Sequence, residues 1–335
     1  METLYFLGVD VSKNSFHAAL TVDGSHFHDQ EVKNNGTCIQ QYFRQLQASF
    51  RFTSGQLIVC MEHTGIYCYP LLDYLTKQGV RICVEPAIQI IKSQGLQRGK
   101  NDKIDSKRIA KYLYKNHGEL KFWTPKRVAV QKLKALLVVR ERLLKAKNQF
   151  EVPIKESKDF IEESIRNQVE KSCKSTILAI KKDIKKIDLE IQKVVKQDAT
   201  ISHQMMLATS VVGVGPIIGA NMIVTTNEFK DIREHKKYAC YSGIAPFEHR
   251  SGKSIRGKSK VSHFANKTIK TLLHLGARSA IRYSPELSAY YHRKCAEGKP
   301  KMSVLNAVCN KLISRVFVCI TNNRLYEKNY GYTVV

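Results

Sequence analysis

The stretch GVDVSK, residues 8–13, overlaps the end of an apolar run at residues 4–9 and places an acidic residue, Asp10, where that run stops. An apolar run of this length that ends at polar turn residues is typical of a buried strand. Two further runs, at residues 16–22 and 27–32, follow after short polar turns. The short connections predict an antiparallel meander of three strands, with Asp10 at the end of the first strand.

Beyond the meander, helical and extended patterns alternate. They comprise a helix at 38–46, a strand at 56–61, a helix at 66–78 closed by Gly79, a strand at 80–84 stopped by Pro86, and a helix at 105–114. The order βββαβαβα is typical of a mixed sheet with helices on its faces. We therefore predict an α/β domain over residues 1–125, followed by α-helical regions.

The middle segment, residues 126–200, lacks glycine and carries two helical stripes. One stripe begins at Leu133 and is expected to end before Pro153. The other carries apolar residues spaced 3-4-3-4-3 from Ile177 to Val194, which is a heptad seam typical of a coiled coil or helical hairpin. Its partner is either a second copy of the chain or the helix at residues 128–150.

The last segment, residues 201–335, begins with an uncharged stretch from 205 to 224 that is long enough to span a bilayer. Gly213, Gly215 and Pro216 interrupt it, so we expect two short buried helices around a tight turn rather than a membrane span. The turn is similar to a helix-hairpin-helix, in which the amides of Gly213 and Gly215 would hold a DNA phosphate, and a simple core turn is equally consistent. A core-facing helix is expected around residues 305–319.

The composition indicates a polyanionic partner. Among 335 residues, Lys and Arg exceed Asp and Glu to give a formal net charge of +26, which destabilises the compact state by self-repulsion. Nucleic acid is the first candidate partner and an acidic membrane surface the second. No secretory signal is visible, and the nine cysteines contain no CxxC pair, so a cytoplasmic protein without disulfides is expected.

Four acidic residues lie at the ends of predicted strands or at the start of a predicted helix. Asp10 and Glu62 end predicted strands, while Asp102 and Asp105 lie three residues apart at the start of a predicted helix, which places them on one helical face. Each acid taken alone is explained by a turn or a helix start. Together, in this order, they are typical of a ribonuclease-H-like nuclease, and hard carboxylate ligands of this kind favour Mg²⁺.

Several motifs resemble one known family. They are GVDVSK at 8–13, the Glu62 motif E-x-T-G, KNDKIDSKRIA at 100–110, VGVGP at 212–216, YSGIAP at 241–246 and RSGK at 250–253. In this order they resemble the DEDD transposases of the "one-ten" insertion-sequence family, which includes the Piv-type DNA invertases. The resemblance covers residues 1 to about 320. The family's Ser-Lys-x-Gly-Asn motif reads SHFAN at 262–266, and Arg250 stands where a second serine is common.

The resemblance implies a RuvC-like N-terminal domain in which Asp10, Glu62, Asp102 and Asp105 bind Mg²⁺. It also implies that Ser251 is the nucleophile toward DNA, in a C-terminal transposase domain. Family members are similar in using a structured RNA from the element's own end. They also form a composite active site between subunits, so a dimer or tetramer is expected.

Residues 250–270 form a very basic segment that we expect to be a loop binding DNA or RNA in a salt-sensitive way. The cations taken as nucleic-acid ligands are Arg250, Lys253, Arg256, Lys258 and Lys260. The leading hypothesis is a Mg²⁺-dependent, RNA-guided transposase that acts through a covalent Ser251–DNA intermediate. The alternatives are a site-specific invertase, a junction nuclease that uses water as the nucleophile, and a basic nucleic-acid-binding protein without catalysis.

Overall fold

A computed structural model describes residues 3–93, 102–251, 255–262 and 264–327. The chain folds as two compact units, Met1–Pro125 and Lys126–Val335. The predicted three-part division at residues 125 and 200 stays a prediction.

The first unit is a five-stranded mixed sheet with helices on both faces. Its elements are β1 (Tyr5–Val11), β2 (Ser15–Thr21), β3 (His28–Lys33), α1 (Gly36–Phe50), β4 (Leu57–Glu62), a 3₁₀ turn (Gly65–Cys68), α2 (Tyr69–Lys77), β5 (Arg81–Glu85), α3 (Ala87–Lys92) and α4 (Asp102–Asn116). The strand order is β3-β2-β1-β4-β5. The first three strands are antiparallel, whereas β1, β4 and β5 are parallel. This topology confirms the predicted mixed sheet.

Helix α3 was not expected from the sequence, because Pro86 was interpreted only as the end of a strand. Pro86 is the residue before the helix, with φ −64° and ψ 138°. A proline suits a helix start, since the first amides of a helix have no intrahelical partner. The same residue therefore ends β5 and begins α3.

The two faces of the sheet have separate cores. Leu7, Val9 and Val11 of β1 pack with α1 and α2 on one face. Phe6 of β1 packs with Ile109 of α4 on the other face. Successive strand residues point to opposite faces, so Gly8 and Asp10 share the α4 face with Phe6.

Helix α4 lies directly on the backbone of β1 at Gly8. A Cβ atom placed on Gly8 would lie 2.1 Å from the amide nitrogen of Ala110 and 2.4 Å from the carbonyl oxygen of Ser106. Ser106 and Ala110 are themselves fully buried. Only glycine allows this approach, which brings the first turn of α4 to the end of β1.

The second unit is mainly helical. Its elements are α5 (Val128–Glu156), a 3₁₀ turn (Ser157–Asp159), α6 (Glu163–Gln197), α7 (Ala199–Thr209), α8 (Pro216–Thr225), α9 (His235–Tyr241), β6 (Pro246–Ser251), β7 (Ile255–Val261), α10 (Lys267–Tyr283), α11 (Pro285–Ala296) and α12 (Lys301–Thr321). The predicted pair of short helices around residues 210–215 is confirmed by α7 and α8.

The heptad seam of α6 has its partner within the chain. Ile191 and Val194 share a core with Leu133 and Leu137 of α5. Two ion pairs join the helices, Arg140 Nε to Asp188 Oδ1 at 2.6 Å and Lys181 Nζ to Glu151 Oε1 at 2.7 Å. Of the two partners left open by the sequence, the structure contains the intramolecular one.

Pro153 does not end α5, contrary to the sequence prediction. The helix continues through it to Glu156 and then tightens into the 3₁₀ turn. A proline this close to the C-terminus removes one intrahelical hydrogen bond and affects little of the helix beyond it.

Arg127 joins three segments of the second unit. Its guanidinium pairs with Glu228, whose side chain is fully buried, and with Asp198 at 2.7 Å. Asp198 also accepts a hydrogen bond from the amide of Ile201 at the start of α7. Glu228 lies in a left-handed turn, with φ +59°. Arg127 therefore stabilises an unusual turn and fixes the starts of α5 and α7.

The terminal helix α12 is long and apolar enough to cross a membrane by length and composition. Its apolar face, however, lies in the core: Val308 and Val316 are fully buried and Leu312 is nearly so. The predicted core-facing stripe is therefore confirmed.

Gly8→Ala should destabilise the first unit, because the new methyl group meets backbone atoms that cannot rotate away. We expect a loss of about 3 kcal/mol or more in the free energy of unfolding, the upper range for overpacking, measured by urea denaturation. Gly36→Ala is the matched control, since a Cβ there meets nothing within 4 Å. Equal stability of the two variants would contradict the close approach of α4.

Candidate active site

Asp10 and Glu62 lie side by side at the carboxyl edge of the parallel strands. Val9 of β1 pairs in register with Met61 of β4, and each acid follows its paired residue. Both acids are partly buried. The apolar strands thus deliver two carboxylates to one sheet edge, as the sequence predicted.

Asp102 and Asp105 reach the same edge from the first turn of α4. Their charges, together with that of Glu62, act on Asp10. Burial raises the pKa of Asp10 from 3.8 to about 6, and repulsion from Asp102, Asp105 and Glu62 adds to the effect. His17 opposes it. The structure therefore brings the four predicted acids into one electrostatic cluster.

Lysines on α4 hold this helix against the sheet. Lys103 Nζ and Lys107 Nζ lie 2.8 and 2.7 Å from the carboxylate of Asp29 on β3, and these contacts lower the pKa of Asp29. Arg108 donates to Asp105 at 2.7 Å. The basic residues around the acids thus orient α4 as well as offset the negative charge.

Two residues at this edge were missed in the sequence. His17 lies directly across from Asp10 on the antiparallel strand β2. Glu85 ends β5 in register with Glu62, and burial raises its pKa. The rule that identified Asp10 and Glu62, an acid at the end of an apolar strand, also selects Glu85. No comparable signal marks His17, because its position depends on strand pairing.

Among the described residues, no group of three or more His, Cys, Asp or Glu side chains is arranged to hold a metal ion. The donor set is nevertheless the one that Mg²⁺ prefers, since it consists of carboxylate oxygens. Repulsion among these carboxylates is the kind that a bound cation relieves. By their chemistry, Asp10, Glu62, Asp102 and Asp105 fit a divalent cation.

The basic segment of the second unit is a β-hairpin, not the loop expected from the sequence. Strands β6 and β7 pair with Ser251 opposite Ile255 and Arg250 opposite Arg256. Helix α10 then begins at Lys267. Basic and polar residues dominate both strands, so no alternation of apolar residues signalled them.

Ser251 is the last residue of β6. Lys253 lies outside the described residues, as do the side chains of Arg250, Ser251, Arg256, Lys258 and Lys260. Their predicted roles toward nucleic acid stay predictions.

Gly213 is a packing position. With φ +96°, it lies so close to α10 that a Cβ atom would be 2.6 Å from both Ala280 Cβ and the carbonyl oxygen of Gly276. Gly215, in contrast, is exposed at the start of α8, next to Pro216. Close helix packing accounts for a glycine at position 213, while phosphate contacts of the Gly213 and Gly215 amides stay predictions.

Two family models match the chain. The DEDD transposase model of IS110, described as "Transposase", matches residues 7–156, and the model "Transposase IS116/IS110/IS902 family" matches residues 205–292. Together they span more than half of the chain and contain all four acids and Ser251. The chain belongs to this transposase family.

Relatives of this chain include two pilin gene-inverting proteins. This chain is 25% identical over 332 residues to the pilin gene-inverting protein of Moraxella bovis. The match covers 96% of this chain and 98% of the relative. The corresponding protein of Moraxella lacunata is also 25% identical. An IS110 protein of Streptomyces coelicolor is 29% identical over 119 residues, 36% of this chain and 29% of that protein.

Among solved structures, the transposase is similar to Thermus thermophilus RuvC, both in complex with a Holliday junction substrate and alone. The sequence identity is 14% in each case, with TM-scores of 0.28 and 0.27. The match covers 36% of this chain and 99% or more of the RuvC chains.

Asp10 should make the stability of the metal-free transposase depend on pH. Because its pKa is higher in the folded protein than the ordinary 3.8, the folded state binds this proton more tightly. The contribution of Asp10 to the free energy of unfolding therefore falls as the pH rises from about 4 to about 6. With a chelator present, Asp10→Asn should stabilise the protein by about 1–2 kcal/mol near pH 7.5 and by little near pH 4.

Urea denaturation at the two pH values measures this effect. Asp73→Asn is the control, because Asp73 is an exposed partner of Lys77 in the same unit. If Asp10→Asn destabilised the protein near pH 7.5, the electrostatic cluster would not exist as described.

Proposed function

We propose that this transposase is a Mg²⁺-dependent, RNA-guided DNA recombinase that cuts and rejoins DNA through a covalent bond between Ser251 and a DNA phosphate. Family membership makes the chain a transposase or DNA invertase. The observation that supports the metal-dependent chemistry is the placement of Asp10 and Glu62 at the ends of the paired strands β1 and β4, with Asp102 and Asp105 in the first turn of α4. Burial and these three neighbours raise the pKa of Asp10.

Asp10, Glu62, Asp102 and Asp105 would hold Mg²⁺, which stabilises negative charge on the oxygens of a phosphodiester under attack. Asp10 ends a central strand, and the other acids stand on β4 and on α4. Rigid elements therefore carry every carboxylate. Such preorganisation keeps the oxygen donors in place when the DNA strand enters.

In the proposed cleavage step, the Oγ atom of Ser251 forms a bond to the phosphorus atom while the bond from phosphorus to one deoxyribose oxygen breaks. The serine proton passes to a base or to solvent, and the released deoxyribose oxygen takes up a proton. Rejoining is the reverse attack by a deoxyribose hydroxyl on the Ser251 phosphodiester, which releases the serine. The energy of the phosphodiester is conserved, so no cofactor beyond the cation is needed.

The remaining proposals follow from the resemblance and the charge. An excess charge of +26 fits a chain that binds both a DNA substrate and a structured guide RNA. A dimer or tetramer would let Ser251 of one subunit act with the carboxylates of another. A cytoplasmic location agrees with this chemistry.

Site-specific inversion is a second candidate. It is favoured by the match to pilin gene-inverting proteins along nearly the whole length of both chains. Both candidates use the same chemistry and differ in the DNA that is joined.

The decisive test combines full-length protein, Mg²⁺, RNA from the element's end and end-labelled DNA that carries the element junction. Reactions quenched with denaturant should show a protein-linked DNA band on a gel. The band should be absent in Ser251→Ala and in Asp10→Asn, and it should fall strongly when the RNA is omitted. Ser172 is an exposed serine on α6, and the control variant Ser172→Ala should retain the protein-linked band.

Cleaved DNA without a protein-linked band, still produced by Ser251→Ala, would replace this proposal with a nuclease that uses water. Salt-sensitive binding without cleavage, unchanged in Asp10→Asn, would instead identify a binding protein.

A further inference from the structure

Three large apolar side chains are exposed directly after Glu62. Ile66 is 71% exposed, Tyr67 38% and Tyr69 45%. Single exposed apolar residues are normal on a protein surface, but three within four residues form a patch. Ile66 and Tyr69 stand three residues apart on a helical turn and so share one face.

Hydrogen bonds between residues 62 and 68 fix the conformation of the loop that carries this patch. It turns at Gly65, with φ +74°. Cys68, by contrast, is buried. The sulfur of Cys68 lies 3.0 Å from the hydroxyl of Thr64 and donates to the carbonyl oxygen of Glu62 at 3.4 Å. The backbone that carries Tyr67 and Tyr69 is therefore already ordered.

Asn34 fixes the loop to the end of β1. Its side-chain nitrogen donates to the carbonyl oxygen of Tyr67 at 2.9 Å and to that of Ser12 at 3.0 Å. Ser12 stands two residues after Asp10. One amide group thus binds the patch to the strand end that carries the central carboxylate, which places the patch at the same sheet edge as the acids.

The chemistry of the patch fits a nucleobase. Tyrosine rings have flat faces on which any base can stack, and two tyrosines offer this surface at low entropic cost because their backbone is already ordered. In a paired duplex the base faces are covered by neighbouring pairs. A base is available for stacking where the strands separate, near the phosphodiester that the acids would act on.

We propose that Ile66, Tyr67 and Tyr69 form a stacking surface for an unpaired DNA base beside the phosphodiester held at the carboxylate edge. The proposal rests on the proposed function. It adds that the transposase recognises DNA with separated strands at this edge, through base faces rather than through a base sequence.

A forked DNA with 2-aminopurine at the branch point tests the proposal, with the full-length protein and Ca²⁺ in place of Mg²⁺. The wild-type protein should quench the fluorescence of the base. Tyr67→Ala and Tyr69→Ala should each weaken fork binding by about tenfold and reduce the quenching. Tyr67→Phe and Tyr69→Phe should retain both, because the ring face is preserved. Affinity for a fully paired duplex should change less than about twofold in all variants.

Val22→Ala is the matched control. Val22 is 44% exposed and follows the end of β2, at the opposite edge of the same sheet. It should bind the fork as the wild type does. Unchanged fork binding and quenching in both Tyr→Ala variants would overturn the proposal, as would an equal loss on the duplex or a loss confined to a forked RNA.

Asp10→Asn separates this proposal from the proposed function. This variant should quench the forked DNA and fail to cleave. A wild-type protein that quenches the fork but never cleaves DNA with Mg²⁺ would retain the stacking surface and refute the recombinase. Cleavage that depends on Asp10, with normal fork binding in the Tyr→Ala variants, would support the recombinase and refute the stacking surface.

Discussion

The contact of α4 with the backbone of β1 at Gly8 is the constraint on which the candidate site depends. A side chain at this position would collide with the amide of Ala110, so the helix would move away from the sheet. Asp102 and Asp105 would then withdraw from Asp10. One absent side chain therefore allows acids from distant parts of the chain to act on one another.

This close packing has an electrostatic cost. Four carboxylates gather at one sheet edge of a strongly basic protein, and the largest effect is the burial of Asp10. Arg108 pairs with Asp105 and offsets part of the negative charge, while Lys103 and Lys107 pair with Asp29 on β3. Clusters of like charge that a fold maintains at such a cost are typical of functional sites. Beside this cluster, the fixed loop at Tyr67 exposes apolar surface that packing does not require.

Much of the first unit could be predicted from sequence, because its signals are local. Apolar runs marked β1 and β4, and an acid at the end of each run marked the site. Glu85 obeys the same rule, although it is not among the four acids that the family resemblance implies. The position of His17 opposite Asp10 could not be predicted from the sequence, because it follows from strand register.

The second unit shows where local signals fail. The heptad seam of α6 predicted a helix but left its partner open, and in the structure α6 packs against α5. The hairpin of β6 and β7 has too few apolar residues to mark strands. The role of Gly213 depends on α10, which lies more than fifty residues further along the chain, so neither its packing nor the hairpin could be derived from spacing alone.

The central claim is that the gathered carboxylates form one cation site. Mn²⁺ binding to the full-length protein, followed by electron paramagnetic resonance and displaced by Mg²⁺, tests it most directly. We expect wild-type protein to bind Mn²⁺ and Asp10→Asn to bind it at least about tenfold more weakly, as loss of one ligand charge implies. Equal Mn²⁺ affinity of the two proteins would contradict the account.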